Sequence, residues 1–164
     1  MKENPYQEDR EQMRELLRQY ENLRNGRSSS FIEEESFEKI ISYFEEREEL
    51  PKAQEAADMA IEQYPYSAAL LIRKADILLT VRHYREALDI LDHATLLDSN
   101  DINLYILKTD AFLALDEQAK AVALLEEALH IFEGEEKIEL LFELGDVYDD
   151  YEEFDKVFDC LKMI

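Results

Sequence analysis

The sequence predicts an all-α chain: a stack of antiparallel helix pairs behind one extra N-terminal helix. Three observations carry this. Apolar residues recur at three- and four-residue steps, the period of a helix with one buried face. Only 3 glycines and 3 prolines interrupt 164 residues. The segment Tyr84–Ala94 (YREALDILDHA) returns as Lys120–Ala128 (KAVALLEEA). In each, a small Ala87 or Ala121 is followed four residues on by Leu91 or Leu125, and then by Ala94 or Ala128. The offset is 34 residues, the length of a two-helix repeat.

The first segment, from Pro5 to about Asn25, places Met13, Leu16, Leu17, Tyr20 and Leu23 on one stripe. Arg10, Arg14 and Arg18 form a second stripe at four-residue steps. Asn25-Gly26 reads as a helix stop, and Gly26 to Ser30 as a short flexible linker. Ser30 caps the next helix with Glu33 at the box position, or Ser36 starts it; the residues leave both open. Helix A of the first pair then carries Phe37, Ile40, Ile41 and Phe44. Pro51 suits the first turn of helix B, and Ala53, Ala57 and Ala60 stand 34 residues before Ala87, Leu91 and Ala94. Later breaks fall at Thr80 to His83, Leu97 to Asp101, Asp116-Glu117 and Phe132 to Glu135, where Gly134 reads as a stop. The last match, Val157, Leu161 and Ile164, lies 36 residues beyond Ala121, Leu125 and Ala128, so the final connection holds two extra residues.

These residues make the chain resemble the tetratricopeptide repeat family over roughly residues 34–164, in units of about 34–67, 68–101, 102–135 and 138–164, with residues 1–30 as a separate helix and linker. The resemblance implies a tetratricopeptide-like α-solenoid, a superhelix of helix pairs with about nine helices in all. The departures are Lys74 and Lys108 in place of apolar residues, Ala57 in place of a large one, and the inserted pair. Alanines at the small positions let helices A and B approach closely.

Composition narrows the chemistry. Residues 1–30 hold six basic and six acidic side chains, so the net charge of -22 sits entirely in the remainder. Such a field repels nucleic acid and anionic membranes and steers a basic partner. No apolar window is long enough to span a bilayer, and MKENPYQEDR lacks a leader's apolar core, so the chain is expected to be cytoplasmic. The single cysteine, Cys160, reads as a buried thiol. His83, His93 and His130 are dispersed, and no HExxH, CxxC or Gly-rich phosphate loop occurs. The acidic run from Asp146 to Asp155 lacks the order of a calcium loop. No catalytic, cofactor or metal residues are expected, and the chain is not expected to be an enzyme.

By resemblance, helix A residues line a concave partner groove. The implied positions are Glu38, Ser42 and Glu45, then Ile72, Arg73, Asp76 and Thr80, then Asn103, Ile106, Asp110 and Leu113, then Phe142, Asp146 and Asp149. Some relatives clamp a C-terminal carboxylate there with Lys and Asn; here Asp76, Asp110 and Asp146 replace the Asn, and Ile72 and Ile106 the Lys. The implied function is a protein- or peptide-binding scaffold whose partner carries apolar anchors among Lys or Arg. The alternative is a self-assembly module dimerising through Phe154, Phe158 and Leu161. That apolar stripe ends the chain, where a polar face is usual. The array continues, or a second copy covers the stripe, or it packs within the last unit. The N-terminal helix is expected to dock on the first unit. Either Arg10, Arg14 and Arg18 approach Glu38, Glu45 or Asp76 and compete with a partner, or the helix caps the first repeat from outside.

Overall fold

The computed structural model describes residues 5–164. Lys2 and Glu3, counted in the charge balance above, lie outside the described residues. Nine α-helices and no strands occur among the described residues. They are α1 (Pro5–Arg24), α2 (Glu34–Glu46), α3 (Leu50–Gln63), α4 (Ala68–Thr80), α5 (Tyr84–Leu97), α6 (Ile102–Ala114), α7 (Gln118–Ala128), α8 (Gly134–Asp150) and α9 (Phe154–Met163). The chain is all-α and forms two compact units, Met1–Leu70 and Leu71–Ile164.

The repeat is written into the backbone as well as the side chains. Each turn from helix A to helix B passes through one residue in the left-handed region: Glu48, Arg82, Asp116 and Glu152, with φ between 57 and 65°. Their spacing is 34, 34 and 36 residues, the same count as the side-chain pattern. Each closes two reversed bonds. At the second turn Arg82 N–H donates to the Leu79 carbonyl and His83 N–H to that of Leu78. Glu48 and Glu49, Asp116 and Glu117, and Glu152 and Glu153 repeat this. This is the Schellman ending, which satisfies carbonyls that the last helical turn leaves open. Glycine normally occupies its left-handed position, and none of these four is glycine. Arg82→Gly is therefore expected to raise stability by about 0.5–1 kcal/mol, since a non-glycine residue there costs roughly 1–2 kcal/mol. Urea melts of the two proteins check this; an unchanged or lower midpoint would contradict it. The same motif ends α1, where Gly26 (φ 66°) donates to Leu23 and Arg27 to Asn22. The Asn25-Gly26 stop thus falls where expected.

In the first unit the small residues of α3 and the large ones of α2 compensate. Ala53, Ala56, Ala57 and Ala60 are all inaccessible, and so are Phe37, Ile40 and Ile41, with Phe44 also buried. Ala57 thus departs from the usual large residue without leaving the core thin, because α2 supplies the volume. Helix α1 packs on α2, with Tyr20 edge-on to Phe44 at 6.0 Å between ring centroids. Met13, Leu16, Leu17 and Leu23 are half-buried. Of the two dockings left open, the one that turns the arginine stripe toward the carboxylates of the array is not seen. Arg10 and Arg14 are exposed, and Arg18 turns back to Glu15 of its own helix at 2.6 Å. The cross-helix pair is made by Arg24, whose guanidinium reaches Glu55 of α3 at 2.7 Å. The reason is reach: Arg24 stands at the end of α1 beside α3, whereas the stripe points to solvent. Neither Ser30 nor Ser36 caps α2; its cap residue is Glu33, with no side-chain bond. The connection is pinned instead by Ile32, buried, whose N–H donates to Gln63 Oε1 (3.1 Å) and whose carbonyl accepts from the Tyr64 hydroxyl (2.7 Å).

In the second unit α5 packs on α6, α6 on α7, α7 on α8 and α8 on α9. Leu91 and Leu125, the repeat's large positions, are fully buried with Ala87, Ala94, Ala121 and Ala128. Lys108 is accommodated by splitting its character. Its stem is buried on α6, while Nζ reaches the exposed Asp92 of α5 at 2.8 Å. Gly134 begins α8 rather than ending a helix, at φ 64°. Helix α8 is longer than α6 at its start, which takes up the extra residues, and Phe132, buried against the Tyr105 ring at 5.4 Å, anchors the connection before it. Cys160 is buried, and burial, aided by the Asp159 carboxylate, pushes its thiol above the ordinary range.

Candidate functional site

The candidate face belongs to the second unit and to its A helices, α4, α6 and α8. One helical register repeats on each: Arg73, Asp76 and Thr80 on α4; Asn103, Leu107, Asp110 and Ala114 on α6; Glu139, Glu143, Asp146 and Asp150 on α8. Residues four and three apart lie on one side of a helix. The register is mostly accessible, because the other side of each helix is held in the core by Ala75 and Leu78, by Leu104, Lys108 and Ala111, and by Leu140, Leu144 and Val147.

Three aspartates, Asp76, Asp110 and Asp146, stand at the same register and are all exposed. Their fields meet. Asp110 is partly shielded from water by its surroundings and feels Asp76, and both effects, desolvation first, push its carboxyl above the ordinary range. Glu143 is raised in the same way, first by desolvation, then by Asp110, Asp146 and Glu139. The structure therefore sets Asp110 and Glu143 among Asp76, Glu139 and Asp146, whose negative charges make these two carboxyls harder to ionise.

That crowding has a sign. A carboxyl raised in the folded state contributes stability below its unfolded pKa and loses it as pH rises through the folded value. Above the folded value the charged Asp110 and Glu143 work against their acidic neighbours. Asp110→Asn is expected to stabilise the chain at pH 7 by a few tenths to about 1 kcal/mol, discounted for solvent screening. The difference from the unaltered chain should close as pH falls to the ordinary carboxylate range. Paired thermal melts across that window check it, and a variant less stable at pH 7 would contradict it.

Other expected positions fall differently. Ile72, implied as a groove position, is buried. It sits one position off the exposed register. Ile106 and Leu113 are half-buried, whereas Phe142 and Ile138 on α8 are exposed beside the acidic row, with Asp149 one register step away. Arg73 is half-buried and Thr80 is exposed, its hydroxyl donating to the Asp76 carbonyl at 3.0 Å. Glu38, Ser42 and Glu45 lie on α2 in the first unit, where Glu38 and Ser42 line a shallow cleft with Met13 and Tyr43. No cluster of His, Cys, Asp or Glu among the described residues is placed to hold a metal ion. No helix among them is long and apolar enough to cross a membrane.

No family model matches the sequence, and no curated protein matches it. Solved structures do. A thermophilic tetratricopeptide repeat protein of Thermus thermophilus superposes with a TM-score of 0.67 at 16% identity, over 78% of this chain and 70% of that one. MamA from Desulfovibrio magneticus RS-1 gives 0.66 at 17% identity, over 80% and 73%. The first such domain of Spaghetti (RPAP3), bound to the HSP90 peptide SRMEEVD, gives 0.62 at 15% identity, over 73% and 93%. The helix order, the 34-residue register of its turns and these likenesses agree: the chain has the fold of the tetratricopeptide repeat proteins.

Proposed function

We propose that this chain is a non-catalytic protein-binding scaffold. Its working surface is the acidic face of α4, α6 and α8, and its partner is a segment with Lys or Arg around an apolar anchor. The observation that carries the reading is the row Asp76–Asp110–Glu143–Asp146, exposed or half-buried on one register of three helices, in which burial and neighbouring carboxylates push Asp110 and Glu143 upward. Cations set against those carboxylates relieve the crowding, so part of the binding free energy is repulsion removed. Phe142 and Ile138, exposed at the row's edge, offer the apolar contact.

The same charge argues against an acidic partner. Spaghetti's domain is bound to SRMEEVD, a peptide rich in carboxylates. Three aspartates in one register would repel such a ligand here. The test is calorimetric titration with two peptides on one Leu/Phe scaffold, one carrying Lys and Arg, the other Glu and Asp, and SRMEEVD as a third ligand. The basic peptide is expected to bind with an affinity that falls as salt rises, and to lose about tenfold when Asp110→Asn and Glu143→Gln are combined. Equal binding of the acidic peptides, or no effect of the double variant, would refute the acidic face as the working surface.

A further inference from the structure

Helix α9 leaves uncovered a face that its counterparts bury. Counting 36 and then 34 residues back, Leu161 corresponds to Leu125 and Leu91, and Phe158 to Val122 and Leu88. Leu91 and Leu125 are inaccessible and Leu88 is buried, because α5 is covered by α6 and α7 by α8. On α9 the matching Phe158 and Leu161 are open, 64% and 53% exposed, and Phe154 on the same stripe is 57% exposed. Spaced four and three apart, they form one stripe built for helix-on-helix packing. The stripe does not pack within its own unit.

We propose that a second copy of this chain covers it, with α9 lying antiparallel against α9 about a two-fold axis near Phe158. Charge picks this occupant. Asp155 and Lys162 are both exposed and lie on the same flank of the stripe, seven residues apart. In an antiparallel pair the same flank of both helices meets, so Asp155 of each copy falls beside Lys162 of the other, and Phe154 of each beside Leu161 of the other. One two-fold axis satisfies the apolar and the ionic contacts together. The helix is also locally neutral. From Phe154 to Ile164 it carries Asp155 and Asp159 against Lys156 and Lys162, in a chain whose net charge is -22. A locally neutral helix lets two such chains approach there with less repulsion than through the acidic faces. One helix face supplies less than the ~800 Å² per partner of a standard interface, so the dimer is a weak one.

This pairing is independent of the acidic face, which α9 does not join, so the failure of either leaves the other standing. The test is sedimentation equilibrium of the full chain from micromolar to submillimolar concentration. A reversible monomer–dimer equilibrium is expected. Phe158→Asp should weaken it by at least about tenfold, with circular dichroism confirming an unchanged fold at this exposed position. Asp155→Lys and Lys162→Asp should each weaken it several-fold, and the two together should restore it. A monomer at all concentrations overturns the proposal, as does a dimer indifferent to Phe158→Asp or a charge swap that does not restore. If the monomer instead protects Phe158 on addition of a peptide with the α8 sequence, the face takes a foreign helix and the second-copy assignment is wrong.

Discussion

Replacing Leu125 by alanine is expected to cost about 2–5 kcal/mol of unfolding stability. Leu125 is wholly inaccessible on α7, a helix packed on α6 and on α8, so the space it leaves is walled on two sides and collapses poorly. The loss is the transfer free energy of the removed carbons plus the cavity left behind. Leu96→Ala is the matched control. Leu96 is 86% exposed on α5, and its truncation should change stability by less than about 0.5 kcal/mol. Denaturant melts of the two variants measure the contrast. Equal effects would mean that the repeat's large position is not a core position.

Ala87→Leu tests the same packing from the opposite direction. Ala87 is inaccessible at the small position of α5, and three added carbons have no space to enter without moving a helix. The expected cost is about 1–3 kcal/mol by overpacking. A shift of only a few tenths in a denaturant melt would show that Ala87 is not a close-contact position. Ala121, equally buried on α7, stands 34 residues on and should behave alike.

The pairing of helices was legible because it rests on local periodicity. Ala87, Leu91 and Ala94 repeat as Ala121, Leu125 and Ala128, and a helix of that pattern can bury only one stripe. The turns were harder to read. Glu48, Arg82, Asp116 and Glu152 occupy the left-handed position without the glycine that usually marks it, so only the backbone reveals the motif. Gly134 misled for the converse reason: its left-handed backbone opens α8 instead of closing α7. A positive φ fits either end of a helix, and the residue alone does not say which.

At the candidate site, the register of Asp76, Asp110 and Asp146 follows from the repeat count and was readable. That Glu143 crowds Asp110 was not, since it depends on how α6 and α8 are staggered rather than on either helix alone. Ile72 shows the same limit. One position's rotation about α4 separates a groove residue from a core residue, and sequence spacing does not resolve it. Of the two dockings open for α1, the arginine contacts needed reach that spacing does not give: Arg18 meets Glu15 three residues away on its own helix.

The most direct measurement of the central claim is a map of backbone amide shifts while a Lys- and Arg-rich amphipathic peptide is titrated into the chain. The acidic-face account predicts changes concentrated on α4, α6 and α8, around Asp76, Asp110, Glu143 and Phe142. It predicts little on α5 and α7, and suppression of the changes by high salt. Changes centred on α5, α7 or α9, or changes on α4, α6 and α8 indifferent to salt, would contradict it.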